Sequence, residues 1–422
     1  MMAEVATVVR AVVVVAAVVV QVVLVGVAAV AVKDHFGLGW RGPLAAGILA
    51  ELEQLDCLEI IAEAYDNLPS QQRHAVKYLS RQIPVTVHGV SLGLAANIAP
   101  SRKCIEKLAR LGDELQAQTI SEHLSFVRSQ ITATGSSASE AIEIGHLAAP
   151  PRNNSSVQRC CEHIQSVTKT FGRPLVLENI ASLITPLGSE LTETQWLTQI
   201  LTATCAPFLL DLENLYANAL NNNENPHELL IELPLNQVHT IHLSGGSWIE
   251  TDWQKKRHAR FLDDHQQDIP PTVFDLLEQA ASLAPQSLTI IIERDGNFPS
   301  MKTLLEQLEK AKAAVTRVRA HTQPHRLKTP LVAEVNRHFT HNDNARIEHL
   351  LAQLFSDESQ HKKWLENPQQ SLADAHLGHF TDLLDNVDWI GVHLMARSVS
   401  LKNRKNVAKK NLSDESLRVA SF

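Results

Sequence analysis

The chain has 422 residues, 44% hydrophobic and 20% charged, a composition typical of a soluble globular protein with one large domain and room for a smaller one. Its net charge of −8 gives no reason to expect nucleic acid or an anionic membrane surface as a partner. The five cysteines are an odd number without CxxC spacing. We therefore expect reduced thiols in a cytoplasmic protein, not a disulfide framework or a cysteine–zinc site.

The first 32 residues form an apolar segment that is separate from the fold prediction. Residues 11–32 are almost wholly valine and alanine and are long enough to span a bilayer as a helix. Three interpretations are open: a membrane anchor, a signal segment, or sequence upstream of a misassigned start, since the next methionine after Met2 is Met301. A membrane location is expected only if residues 11–32 are a real anchor.

Eight short stretches rich in β-branched residues follow, separated by segments with helical periodicity. The stretches are 37–40, 57–63, 85–90, 119–125, 174–179, 208–214, 239–245 and 288–295. Helical segments between them include 104–118 and 272–284. Strands that alternate with helices in this way predict an α/β fold, a (β/α)8 TIM barrel over residues 33–320. A doubly wound open sheet is the alternative, but no Gly-rich phosphate loop or Walker motif follows any strand.

The rest of the chain predicts a small helical accessory domain over residues 330–422. A polar, basic connector leads into it over residues 317–330. Helical patterns then recur at 345–355, 361–367 and 380–401. The stretch 400–411 is basic and is interpreted as a solvated tail.

Polar side chains gather where the predicted strands end. Active sites of TIM barrels lie at the carboxyl ends of the strands, so the residues found there are the candidates for chemistry. The third to eighth strands, or the loops after them, carry His88, His123, Glu178, Asp211, Asn214, His242, Asp263, His265 and Glu293. Candidates for supporting these residues are Glu122, Asn179, Glu213 and Asp295.

Each of these residues alone also has an ordinary structural explanation, such as a helix cap, an Asx turn or a hydrogen-bonded core histidine. Their convergence on one mouth of the barrel is different, because burying several carboxylates without cations costs on the order of several kcal/mol each. Imidazoles mixed with carboxylates suit two or three divalent metals such as Fe, Zn or Mn. The sequence therefore predicts a polynuclear metal site.

Seven motifs in a fixed order carry a resemblance to a known family. They are VHGVSLGLA, SEHLSF, LVLENIASL, LLDLENLYANALN, IHLSGG, LDDHQQDIPPTVFDLL and IIIERDGNFP, within residues 36–300. The chain resembles the DUF692 family of multinuclear non-heme iron oxidative enzymes, which are xylose-isomerase-like TIM barrels. The resemblance implies that the nine strand-end residues named first above ligate two or three iron ions of mixed valence. It also implies that O2 is the cosubstrate and that cysteine or another side chain of a ribosomally made precursor peptide is oxidised.

Three positions depart from the family's pattern. Gly246 stands in HLSGG where the family has a second histidine, Glu213 precedes Asn214 where the family has Asn-Asn, and Ala64 interrupts the ENY pattern of the second strand. These changes leave the ligand set intact but put the substrate pocket in question.

The resemblance also implies a leader on the precursor peptide. On their position alone, the C-terminal helices are expected to bind this leader or to take the place of a partner protein. Two other functions stay open at this point: a Zn- or Mn-dependent hydrolase or isomerase of the same barrel class, and a non-catalytic metal-binding protein.

Overall fold

The computed structural model describes residues 33–132, 139–320 and 339–402. The apolar segment 1–32, and with it the anchor and signal interpretations, lies outside the described residues. Most of the predicted connector and of the basic tail lies outside them as well. In the described part of the chain, no helix is both long enough and apolar enough to cross a bilayer.

Eight parallel strands close into a barrel. They are β1 (His35–Gly39), β2 (Cys57–Ile61), β3 (Val85–Gly89), β4 (Thr119–His123), β7 (Leu175–Glu178), β8 (Phe208–Asp211), β9 (Val238–Leu243) and β12 (Thr289–Ile292), each paired with the next and β12 with β1. Their apolar, β-branched sequences suit strands that are covered on both faces. All eight predicted strands are present, and the predicted TIM barrel is confirmed.

Ten helices of the barrel region accompany the strands. They are α1 (Ala45–Ala50), α2 (Ala62–Asp66), α3 (Ser70–Leu79), α4 (Arg102–Glu114), α5 (Asn154–Phe171), α6 (Glu193–Thr204), α7 (Leu212–Asn222), α8 (Pro226–Glu232), α9 (Pro271–Leu283) and α10 (Met301–Arg319). Local sequence sets their ends. The α5 helix begins where the Asn153 side chain accepts a hydrogen bond from Ser156 N, and ends at Gly172 in the left-handed region.

Two antiparallel hairpins interrupt the barrel repeat, and neither was predicted. One pairs β5 (Phe126–Thr132) with β6 (Ser139–Ala148) after β4, and the other pairs β10 (Ser247–Trp253) with β11 (Lys256–Leu262) after β9. The turn of the second hairpin uses Gln254 and Lys255 at φ 50° and 63°. Two-residue hairpin turns with positive φ normally show Asn-Gly or a similar pair, so this sequence gives little sign of the turn.

The C-terminal region is helical, as predicted. It contains α11 (His341–Ser356), α12 (Glu358–Glu366), α13 (Pro368–Asp374), a 3-10 helix (Thr381–Asn386) and α14, which covers residues 389–402. The helix expected over 380–401 is therefore two elements. The break occurs because Val387 is extended and Asp388 caps a new helix, its Oδ1 accepting from Gly391 N at 2.9 Å.

The C-terminal helices share an apolar core with the loops at the carboxyl ends of the barrel strands. This core includes Phe126, Ile144, Leu183, Ile347, Phe355, Trp364 and Met395. Buried polar contacts join the same parts: Asn153 and Asn344 exchange amide hydrogen bonds of 2.8 and 2.9 Å, and Asn97 N donates to Glu348 at 2.7 Å. The helices thus pack on the face of the barrel where its strands end. A domain boundary at residues 320–330 stays a prediction.

Candidate metal centre

The strand registers place predicted ligands side by side. His123, the last residue of β4, is level with Glu178 at the end of β7, and Asp211 of β8 is level with His242 of β9. All four side chains are buried at the carboxyl end of the barrel. The geometry divides the predicted ligands into three neighbouring groups.

The first group has two histidines on one carboxylate oxygen. The Nε2 atoms of His88 and His123 each lie 3.3 Å from Glu178 Oε2. His123 Nδ1 lies 3.3 Å from the carbonyl oxygen of Gly89, and His88 Nδ1 lies 2.8 Å from Ser121 Oγ. A carbonyl only accepts, so the contact to Gly89 favours a proton on His123 Nδ1 and leaves Nε2 to face Glu178.

The second group surrounds His242. Its Nδ1 lies 3.2 Å from Glu293 Oε2, 3.5 Å from Glu178 Oε1 and 4.0 Å from Asp211 Oδ2. On the other side of the ring, Nε2 lies 2.9 Å from Glu59 Oε2. Because a carboxylate is a hydrogen-bond acceptor, Glu59 fixes the ring through Nε2 and leaves Nδ1 facing the other three carboxylates.

The third group contains His265. Its Nε2 lies 2.7 Å from Asp263 Oδ1, and its Nδ1 lies 3.4 Å from Glu293 Oε2. The backbone of His265 has φ 52°, a costly conformation for a residue other than glycine. Asp295 N donates to the carbonyl oxygen of His265 at 2.9 Å, which helps to hold this conformation.

Three carboxylates, those of Glu178, Asp211 and Glu293, are shared between neighbouring groups. The sets whose ligand atoms all lie within 4.8 Å of one another include His88, His123 and Glu178; then Glu178, Asp211 and His242; then Asp211, His265 and Glu293. Several buried atoms here make no hydrogen bond: Glu178 Oε2, Asp211 Oδ2, Asn214 Oδ1, His242 Nδ1, Asp263 Oδ1 and both ring nitrogens of His265. Buried polar atoms are normally paired, so these are atoms that cations would satisfy.

Asn179 organises the ligands on β8 and α7. Its side chain accepts from Asp211 N at 2.9 Å and donates to Asp211 O at 3.0 Å, while its carbonyl accepts from Asn214 Nδ2 at 3.0 Å. Asp211 Oδ1 caps α7 by accepting from Asn214 N at 2.7 Å. These contacts occupy Nδ2 of Asn214 and Oδ1 of Asp211. Asn214 Oδ1 and Asp211 Oδ2 are left without a hydrogen bond at the centre.

Two other candidates for supporting residues, Glu122 and Asp295, lie in different parts of the site. Glu122 is buried and holds the loop after β3, since its Oε2 accepts from Ser91 N and Leu92 N at 3.2 and 2.9 Å. Asp295 lies at the rim, where Arg41 Nε contacts it at 2.6 Å. The same guanidinium reaches the ligand candidate Glu293 at 2.9 Å.

The two departures near the centre have structural consequences. A Cβ atom at Gly246 would meet the carbonyl oxygen of Leu262 at 2.4 Å, so this backbone leaves no room for a second histidine there. Glu213 is fully buried and so points inward. Burial and the neighbouring Asp263 and Asp211 raise its pKa to about 9, so it carries a proton at neutral pH in the metal-free protein.

When no metal is present, Glu178 and the histidines around it pair as ions at neutral pH, whereas Asp211 keeps a proton. Burial raises the pKa of Asp211 to about 8, and the nearby Asp263 and Glu178 add to this rise. Burial opposes ionisation of Glu178 too, but His123, His88 and His242 bring its pKa down to about 2. Burial likewise opposes the charge on His123, yet Glu178 raises the pKa of its ring to about 9. A bound cation would take the place of these protons.

Sequence reasoning missed Glu59 and Arg41. Glu59 is fully buried in the middle of β2 and contacts His242, while Arg41 follows β1. A glutamate inside the apolar run CLEII was the available signal, because an ionisable residue in a buried strand needs a partner.

A cavity of about 740 Å³ opens above the centre. Its floor contains His88, His123, Glu178, Asn214 and His265. Its walls come from β5, β6, the end of β11 and α14, and the cavity also contains the thiol-bearing Cys104. The volume is in the range of cavities that bind small ligands.

Comparison with known proteins identifies a family for most of the barrel. Residues 35–316 match the family described as RiPP precursor modification enzymes of the MbnB/TglH/ChrH type, where RiPP denotes a ribosomally made, modified peptide. The chain belongs to this family. The predicted resemblance is thereby confirmed, and the family is one of enzymes.

Relatives of the chain include UPF0276 proteins. A UPF0276 protein of Streptomyces avermitilis is 32% identical over 64% of this chain, and the match spans about half (53%) of that relative's length. A UPF0276 protein of Caulobacter vibrioides is 29% identical over 66% of this chain and 94% of its own length. Among solved structures, a xylose isomerase domain containing protein of Salmonella typhimurium has 12% identity and a TM-score of 0.43, covering 68% of this chain and 98% of its own.

Proposed function

We propose that this chain is a non-heme iron enzyme that uses O2 to oxidise a ribosomally made precursor peptide, with a cysteine as the modified residue. One observation carries the proposal. Glu178 and Asp211 each lie between two ligand groups and keep a buried oxygen without a hydrogen bond. Carboxylates shared in this way suit two or three metal ions in a row, as a mixed-valent iron centre requires.

The donor set fits iron. Imidazole nitrogens and carboxylate oxygens are ligands that Fe, Zn and Mn accept, and the resemblance of the sequence motifs to multinuclear non-heme iron enzymes implies iron among them. His88, His123 and Glu178 would hold one ion, Glu178, Asp211 and His242 a second, and Asp211, Asp263, His265 and Glu293 a third, with Asn214 beside them. When bound, the iron ions supply Lewis acidity and one-electron exchange with O2.

The protein's own part is orientation and access. Hydrogen bonds to Ser121 Oγ and to the carbonyl of Gly89 set the rings of His88 and His123, and Glu59 sets that of His242. Because each ring is fixed before any ligand arrives, little reorganisation is needed on binding. The cavity gives a peptide side chain a route to the centre. The leader of the peptide is proposed to bind at the C-terminal helices.

The proposal is tested by comparing peptide modification by the wild-type chain with modification by two matched variants. We expect the full chain, co-expressed with a cysteine-containing peptide encoded beside its gene in iron-supplemented medium, to change the peptide's mass. His242→Ala should abolish the change. His239→Ala on the same strand should keep it, because His239 is exposed and lies away from the centre. Modification that persists in His242→Ala, or that proceeds with zinc and without O2, would refute the proposal.

A further inference from the structure

The reaction cavity has two kinds of wall. Its floor is built from histidines and carboxylates of the barrel, whereas its outer wall is built from the β5–β6 hairpin and α14. Two basic side chains line that outer wall in the described part of the chain, Arg128 on β5 and Lys402 at the end of α14. Neither makes an ion pair within 4 Å with any described carboxylate.

Arg128 is held rigidly in place. Its Nη1 donates to the carbonyl oxygen of Ser91 at 3.2 Å and its Nη2 to that of Leu92 at 2.9 Å. Glu122 binds the backbone N–H groups of the same two residues from the other side. Backbone carbonyls fix the guanidinium but do not neutralise its charge, and donors of the planar group remain for a ligand.

Nearby carboxylates do not compensate these cations. Glu143, opposite Arg128 in the hairpin register, also lines the cavity, but it is exposed and forms no ion pair with Arg128. Asp295 is close enough to influence Lys402, but Arg41 already contacts it at 2.6 Å. With two basic side chains and one exposed carboxylate, the outer wall carries a net positive charge above a floor whose carboxylates face the metal centre.

Lys402 lines the same cavity as Arg128 and acts on its β6 wall. His146 of β6 lines the cavity, and its pKa falls to about 4 because of burial and of the positive charge of Lys402. His146 is consequently neutral at neutral pH and adds no charge. Lys402 itself stays open to solvent, so its contribution is expected to be screened and smaller than that of Arg128.

We propose that Arg128 and Lys402 form a carboxylate subsite of the cavity, which selects peptides carrying an acidic group close to the residue that is modified. This rests on the proposed function, because it assumes that the ligand is a peptide. A guanidinium fixed in advance can bind a carboxylate through parallel hydrogen bonds, which gives specificity as well as affinity. The carboxylate comes either from the peptide's C-terminus or from an aspartate or glutamate side chain.

Binding without turnover tests the subsite. The probes are acetylated peptides of glycine with one cysteine, made with a free C-terminal carboxylate, with a C-terminal amide, and with an amide plus an aspartate beside the cysteine. Their dissociation constants are measured by calorimetry on the full, iron-loaded chain under anaerobic conditions. We expect one anionic form to bind about tenfold tighter than the neutral form. Which of the two does so identifies the source of the carboxylate.

Variants distinguish binding of a carboxylate by Arg128 from its structural contact with the loop after β3. Arg128→Met should bring the ratio of dissociation constants to about one, Arg128→Lys should keep part of the preference, and Lys402→Met should lower it about threefold. Arg102→Met and Lys362→Met are matched controls, since both side chains are largely exposed and lie outside the cavity lining. Unchanged iron content in Arg128→Met shows that the loop is intact.

Two results would overturn the subsite. One is a wild-type protein that binds the three probes equally or binds none of them. The other is a wild-type ratio retained in Arg128→Met or in Lys402→Met, which removes that residue from the subsite. Co-expression with the leader-bearing precursor peptide tests the proposed function separately. Binding of the probes with the expected preference but no oxidation of that precursor leaves the subsite standing and refutes the oxidative function, and the reverse result does the opposite.

Discussion

At the scale of single residues, the ring of His242 shows how the centre is held. Three carboxylates approach its Nδ1, and Glu59 contacts its Nε2 from the strand on the opposite side of the barrel. Because Glu59 accepts from Nε2, the Nδ1 atom of His242 is the nitrogen that faces the metal site. Glu59, which does not line the cavity, thus sets the orientation of the metal-ligand candidate His242.

Glu59→Gln tests this role. The amide keeps the size of the side chain but loses the negative charge that fixes the proton on His242 Nε2. We expect metal affinity to fall about 10- to 100-fold, measured by competition with a chelator. Glu53→Gln is the control, because Glu53 is exposed. An unchanged affinity in Glu59→Gln would show that the ring is oriented by packing alone.

At the scale of elements, α11 fastens the C-terminal helices to the barrel. Ile347 is fully buried in the core shared with Leu183 and the β5–β6 hairpin, and it lies against Gly188. Glu348, the next residue, accepts a hydrogen bond from Asn97 N in the loop after β3. Apolar and polar contacts therefore both join this helix to the loops that surround the cavity.

Ile347→Ala measures the apolar contact. Removing the side chain leaves a cavity in a packed core, and we expect the free energy of unfolding to fall by about 2–5 kcal/mol in urea titrations. Ile231→Ala should change it by less than about 0.5 kcal/mol, because Ile231 is 58% exposed. Equal effects of the two substitutions would mean that the shared core does not stabilise the protein.

The buried carboxyl group of Glu348 on α11 makes the stability of the fold depend on pH. Burial raises its pKa to about 8, only partly offset by the hydrogen bond from Asn97 and by Arg159. The folded protein then binds a proton that the unfolded chain releases near pH 4.5, so stability falls as pH rises from about 4.5 to 8. Glu348→Gln removes this loss and should be more stable than wild type by about 1–4 kcal/mol at pH 9, with little difference at pH 4.

Thermal unfolding across this pH range checks the prediction for Glu348. Glu366→Gln is the matched control, since that carboxylate is exposed and should show no such trend. A Glu348→Gln variant that follows the wild-type pH profile would contradict the assignment of a raised pKa to Glu348.

At the scale of the whole molecule, sequence predicted the parts of the barrel that repeat and missed those that do not. The eight strands are short apolar runs of similar length, and the polar residues that follow strands three to eight lie at the centre. Glu59 and Arg41 come from the first two strands and were missed, because neither stands in a His- or Asp-rich motif.

The cavity wall shows a second limit of prediction from sequence. The hairpin of β10 and β11 lacks a turn signature, and helix α14 contacts it across more than one hundred residues, as His393 does with Trp253. No periodicity in a single sequence encodes such pairings. The break in the predicted helix 380–401 is different, because Asp388 is a residue type that commonly caps a helix N-terminus and so marks the start of α14 in the sequence.

The most direct test of the central claim is the metal content of the full chain. After expression in iron-supplemented medium and anaerobic purification, we expect two or three iron ions per chain and a Mössbauer spectrum with a coupled Fe(II)/Fe(III) signal. His242→Ala should lose part of this iron, and His239→Ala should keep all of it. Stoichiometric zinc without iron, or a wild-type protein that holds no metal, would contradict the assignment of a polynuclear iron centre.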